Sequence, residues 1–97
     1  MNPYEMILRP VDTEKTRFLA SEQGKYTFEV HPGANKIELK RAFEEVFDVD
    51  VVNVHVMIMP AKSTRLRGRR RSIRRSPWKK AIFTVAEGQR LDIFGGV

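Results

Sequence analysis

VVNVHVMIM at residues 51–59 and KAIFTVA at residues 80–86 decide the fold. Both stretches are rich in β-branched and aromatic residues and read as strands. In the first, Val52, Val54, Val56 and Ile58 alternate with Asn53, His55, Met57 and Met59, which sets the two groups on opposite faces of the strand. Between them runs KSTRLRGRRRSIRRSPWKK, Lys62 to Lys80, with ten Lys or Arg and no acid. Two strands that follow one another along the chain pair most simply as an antiparallel hairpin. The basic run is then the tip of that hairpin, and residues 61–78 form an extended Arg-rich loop. Loops of such length in compact domains are usually functional or disordered.

Towards the N-terminus the pattern changes period. Leu39, Ala42, Phe43, Val46 and Phe47 fall at i, i+3, i+4, i+7 and i+8, one stripe of a helix over 36–47. Asn35 with Glu38 makes a capping-box start. The other face carries Lys36, Lys40, Arg41, Glu44 and Glu45, with Lys40–Glu44 and Arg41–Glu45 spaced to pair. KYTFEV at 25–30 alternates as a strand, and His31-Pro32-Gly33 is a turn. A helix over about 13–21, capped by Asp12 or Thr13, is expected to turn Phe18 and Leu19 inward before Gly24 breaks it. Residues 4–9 read as a first strand closed by Pro10. The order is β-α-β-α-β-loop-β, an α+β fold with helices against a small sheet.

The chain has 97 residues, read as one domain over 1–97, with 41% apolar content, enough for a modest core. It carries 18 basic and 12 acidic residues, a net charge of +6. Outside Lys62–Lys80 there remain 8 basic and 12 acidic residues, a net of −4. The positive charge therefore belongs to one segment. A run of like charge is ordinarily a solvated linker or tail. This one is internal and dominated by Arg, whose planar fork suits phosphate oxygens and stacks on bases. Trp78, at its end, adds a stacking platform. A polyanion, and RNA in particular, is the expected ligand. The candidate contacts are Lys62, Arg65, Arg67, Arg69, Arg70, Arg71, Arg74, Arg75, Trp78, Lys79 and Lys80.

Chemistry of other kinds finds little support. No cysteine is present, which agrees with a reducing cytoplasm. His31 and His55 stand apart, and no His or acid cluster has metal-ligand spacing. No glycine-rich loop matches a nucleotide cradle, and no nucleophile has an evident base. An enzyme, a cofactor and a small-molecule substrate are not expected. No apolar run approaches the ~20 residues of a membrane span, and the first residues lack the blocks of a signal peptide. A basic amphipathic helix for a membrane surface is also missing, since Gly68 and Pro77 break the run.

Three segments share a further likeness. Ile7-Leu8-Arg9-Pro10-Val11-Asp12-Thr13-Glu14-Lys15 resembles the opening signature of the bacterial ribosomal protein L twenty-three family. Asn35 to Lys40, on through Val46-Phe47, and Val51 to Val54 look like that family's central helix and third strand. Trp78 to Ala81, Glu87-Gly88-Gln89, Leu91-Asp92 and Phe94-Gly95-Gly96 look like its C-terminal half. The resemblance spans nearly the whole chain in the right order. It implies a four-stranded antiparallel sheet of order 1-2-4-3 with two helices and a long basic hairpin loop. It also implies a structural constituent of the large ribosomal subunit, cytoplasmic and ribosome-bound. Such a protein would bind 23S ribosomal RNA near the polypeptide exit tunnel, beside neighbouring large-subunit proteins. It would form part of the docking site for trigger factor and the signal recognition particle. On the same resemblance, Lys36 and Lys40 join the RNA contacts and Glu14 becomes the chaperone-docking residue. By itself a first-turn carboxylate only offsets the helix dipole, worth about 0.3–1 kcal/mol. The rival reading is a free-standing nucleic-acid-binding regulatory protein, which predicts a sequence-preferring site and self-association.

Overall fold

The computed structural model describes residues 2–60, 62–65, 71–75 and 77–91, with 62–65 and 71–75 described by their backbone. The elements are α1 (Pro3–Met6), β1 (Ile7–Pro10), α2 (Glu14–Gln23), β2 (Lys25–Val30), α3 (Lys36–Phe47), β3 (Val51–Met59), β4 (Lys62–Arg65), β5 (Arg71–Arg75) and β6 (Trp78–Val85). β1, β2, β6 and β3 form one antiparallel sheet in that spatial order, and β4 pairs with β5 in a separate two-stranded ribbon. With the ribbon set aside, β6 is the fourth strand of the sheet, so its order is the expected 1-2-4-3. β3 and β6 are antiparallel from Val51↔Val85 to Met59↔Trp78, as the hairpin argument required.

Local chemistry sets the helix ends. The Asn35 side chain accepts from the Glu38 N–H at 2.9 Å, and the Glu38 carboxylate accepts from the Asn35 N–H at 3.1 Å. These two bonds satisfy donors that the first turn of α3 would otherwise leave open. α3 ends on Asp48 at φ 54°, a left-handed position that a short polar side chain tolerates. Thr13 caps α2 in a reciprocal box with Thr16. α2 closes on Gly24 at φ 64°, where a Cβ would stand 3.0 Å from Arg90 Nη1. Glycine answers both the backbone sign and the space there.

The core lies on one face of the sheet. Tyr26, Phe28 and Val30 of β2, Val51 and Val54 of β3, and Ala81, Phe83 and Val85 of β6 are buried against Leu39, Ala42 and Phe43 of α3. Four rings form its centre. Phe43 stacks on Phe83 with centroids 4.1 Å apart and planes 4° apart, while Phe28 meets both edge-on at 5.5 and 6.2 Å. Phe47 closes against Phe43 at 4.6 Å. The buried Tyr26 hydroxyl accepts from the Leu91 N–H at 2.8 Å and ties the segment after β6 to the sheet.

Five expectations need correction. Residues 3–6 are a helical turn, not strand, because Asn2 caps it by accepting from the Tyr4 N–H at 2.9 Å and Pro3 stands at its start. Among the described residues there are thus three helices rather than two. β1 begins at Ile7 and runs through Pro10, which an edge strand tolerates, and the Val11 N–H resumes bonding to Thr27 O at 3.0 Å. Phe18 is 57% exposed, since α2 turns Thr16 and Ala20 to the sheet instead. In β3 an irregularity in register between Val51 and Asn53 turns Val51 and Val54 inward. Val52 is left 64% exposed, and Ile58 is 73% exposed at the far end of the strand. Glu44 does not pair with Lys40; its carboxylate accepts from the Val51 N–H at 2.9 Å and anchors the start of β3.

Candidate nucleic-acid interface

The basic hairpin leaves the sheet at the Met59–Trp78 end and continues as the β4–β5 ribbon. Lys62 and Arg65 lie on β4, and Arg71, Arg74 and Arg75 on β5. Arg67, Arg69 and Arg70 fall outside the described residues. The register sets Lys62 across from Arg75 and Arg65 across from Arg71. Like charges at opposed positions destabilise a pair of strands, so an anion that neutralises them favours the ribbon.

At the base of the ribbon, alternation along β6 divides the three candidates. Lys79 shares the parity of the core residues Ala81 and Phe83, and its ammonium donates to Ala34 O at 2.5 Å and Pro32 O at 3.4 Å. It braces the turn before α3, while Trp78 and Lys80 belong to the opposite face. On that face α2 and the sheet enclose a cleft of about 380 Å³, lined by Trp78, Lys80, Lys15, Thr27 and neighbours. The sequence reading missed Lys15 and Thr27; only Thr27 had a signal, the alternation of β2, which sends it away from the core.

Lys36 and Lys40 sit one turn apart on the exposed side of α3. They flank a groove of about 240 Å³ shared with Ile37, Val52 and Asn53. This site lies between α3 and the start of β3 and shares no residue with the cleft. Glu14 is the first residue of α2 and is exposed. Beside it, Arg17 donates to both oxygens of Asp12, at 2.6 and 3.0 Å. That hydrogen bond, together with the guanidinium charge, holds the Asp12 carboxyl below its ordinary value, and exposure to water keeps its contribution small. On β1, Arg9 donates to the Glu29 carboxylate at 2.8 Å.

Among the described residues no group of three metal-ligating side chains occurs. His31 has a structural task, with its Nδ1 accepting from the Gly33 N–H at 2.9 Å. No helix among these residues is long and apolar enough to cross a membrane.

The pattern of the family described as Ribosomal protein L23 matches residues 5–93. The chain belongs to this family. It is 48% identical over 96 residues to the large ribosomal subunit protein uL23 of Roseiflexus sp. (strain RS-1), covering 99% of both chains. Against the uL23 of Bifidobacterium longum (strain DJO10A) the identity is 47% over 95 residues, with 95% of this chain and 91% of that protein covered. The uL23 of Desulfatibacillum aliphaticivorans is 46% identical over 97 residues, covering all of both. The likeness inferred from the three segments is therefore real across the chain. The family is a structural, non-enzymatic component of the ribosome, in line with the expectation that the chain is not an enzyme.

Proposed function

We propose that this protein binds 23S ribosomal RNA through its arginine-rich hairpin, near the polypeptide exit tunnel. Family membership makes it a structural constituent of the large ribosomal subunit, acting in translation. Binding to RNA adds a finer statement, and one observation carries it. All the excess positive charge sits in Lys62–Lys80, on a ribbon that leaves the sheet at one end. Ribosomal RNA is a dense array of phosphates, and a narrow cationic hairpin can enter where helices crowd together. Lys80 and Trp78 extend this surface at the base of the ribbon, and Lys36 and Lys40 supply a second, smaller basic site on α3. Lys79 serves the fold first, given its bonds to Ala34 and Pro32.

The protein is ribosome-bound in the cytoplasm in this reading, in contact with neighbouring large-subunit proteins. Residues 1–97 act as one domain, with 61–78 as its projecting element. A free-standing nucleic-acid-binding regulator is the weaker alternative, since the relatives are named as ribosomal proteins over their full length. Sedimentation separates the two. The native protein travels with large subunits through moderate salt, and its release at low ionic strength would refute the ribosomal assignment.

Glu14 is proposed to dock trigger factor, and the same surface to serve the signal recognition particle. Its exposure at the start of α2 and the net −4 outside the basic segment suit a basic partner. Glu14→Lys weakens trigger factor binding to ribosomes far more than Glu14→Ala, because repulsion is added to the lost contact. Gln at this position falls between wild type and Lys, and RNA binding is unchanged in all three. Equal trigger factor binding by wild type and every variant reduces Glu14 to a helix-end charge.

A further inference from the structure

The cleft between α2 and the outer face of the sheet is a built cavity that the proposed hairpin contacts do not explain. Its volume is about 380 Å³, within the range of small-ligand sites. Val11 and Ile82 give it apolar walls, and Trp78 gives it a flat aromatic side. Lys15 and Lys80 line it, and no acid does. Thr27 adds an independent observation. It lines the cleft, is only 2% exposed, and its hydroxyl has no hydrogen-bond partner among the described residues. A buried hydroxyl left without a partner costs free energy, and each such group in a folded protein calls for an explanation.

We propose that this cleft takes one unstacked nucleotide of a single-stranded RNA segment. The inference deepens the RNA-binding reading and rests on it. The three features of the cleft match the face of a base, a polar edge and a phosphate. An aromatic side with apolar walls receives a flat base, as in stacking recognition of single strands. The hydroxyl of Thr27 meets a polar edge, either giving or accepting a hydrogen bond. Lys15 and Lys80 hold the phosphate. An apolar peptide would satisfy the walls but leave both lysines and the hydroxyl unanswered. The cleft lies at the root of the ribbon, so a strand of RNA that follows the hairpin reaches it without a break.

Trp78 is the only tryptophan in the chain, so its fluorescence reports on the cleft. The test titrates the full-length protein with the four nucleoside monophosphates and with a short single-stranded RNA. Saturable quenching is expected for wild type. Thr27→Val keeps the side-chain shape and removes the orphan hydroxyl. It raises the thermal midpoint of the free protein yet weakens the nucleotide about fivefold, the loss of one hydrogen bond. A purely structural Thr27 would give the first effect without the second. Lys15→Gln also weakens the quench and lowers the salt slope for single-stranded RNA by about 0.7, one phosphate contact. A photoreactive side chain replacing Leu19, which also lines the cleft, crosslinks to RNA in assembled large subunits. Salt-sensitive RNA binding by wild type without quenching, or with both variants titrating like wild type, overturns the cleft site and leaves the hairpin reading intact. Crosslinks from position 19 to protein alone also overturn it and assign the cleft to a peptide. Absence of both RNA binding and quenching removes the two readings together.

Discussion

Replacing Arg69, Arg70 and Arg71 together by Ala flattens the salt dependence of RNA binding and leaves the fold unchanged. If the hairpin neutralises about 6–8 phosphates, the log–log slope of affinity against salt is about −4 to −7. Removing three cations makes that slope shallower by about 2–3. Affinity at low salt falls by ~100-fold or more, since each lost charged contact is worth about 1.5–3 kcal/mol before compensation. Stability is spared because the buried core among the described residues is built from the sheet, α1, α2 and α3. Filter binding across a salt series, with a thermal melt of the free variant, measures both quantities. An unchanged slope assigns RNA binding to another surface, with the Lys36–Lys40 site on α3 first in line.

Phe43→Ala produces the largest loss of stability. Phe43 is fully buried and touches three other rings, Phe28, Phe47 and Phe83. Truncation removes its transfer free energy and opens a cavity between α3 and the sheet, costing about 3–5 kcal/mol. That is a large share of the roughly 5–15 kcal/mol that holds a domain folded. Phe18→Ala, by contrast, changes stability by less than ~0.5 kcal/mol, as expected for a residue exposed over most of its surface. Urea midpoints of the two variants decide the matter. The pair is informative because the periodicity of the sequence turns both rings inward, whereas the structure buries one. A large loss at Phe18 would mean that α2 turns this ring toward the sheet.

Much of the architecture was legible because it rests on local signals. Capping boxes at Asn35–Glu38 and the break at Gly24 depend on residues three or four apart, and both stand where the sequence puts them. The antiparallel pairing of 51–59 with the strand ending at Val85 follows from connectivity, since no crossover helix separates them. The N-terminal strand was misread in part because Tyr4 to Met6 has no strong period. An Asn2 cap followed by Pro3 is a helix-start signal that a β reading overlooks.

The candidate site divides in the same way. Charge segregation into Lys62–Lys80 is a property of composition and order alone, so the sequence by itself determined that a strongly basic hairpin exists and where it leaves the sheet. Which side chains share a face was decided by tertiary structure. Lys79 and Lys80 are equivalent in the sequence, yet Lys79 is bound to the carbonyls of Pro32 and Ala34, 45 or more residues away, and Lys80 lines the cleft. The register irregularity between Val51 and Asn53 moved Val52 out of the core. Thr27 became a buried hydroxyl, without a partner among the described residues, only because α2 lies over it. Each of these depends on where a distant element packs, and a one-residue change of register reverses the answer. Local periodicity carries information about the strand or helix it belongs to, and the placement of the other layer above it comes only with the assembled core.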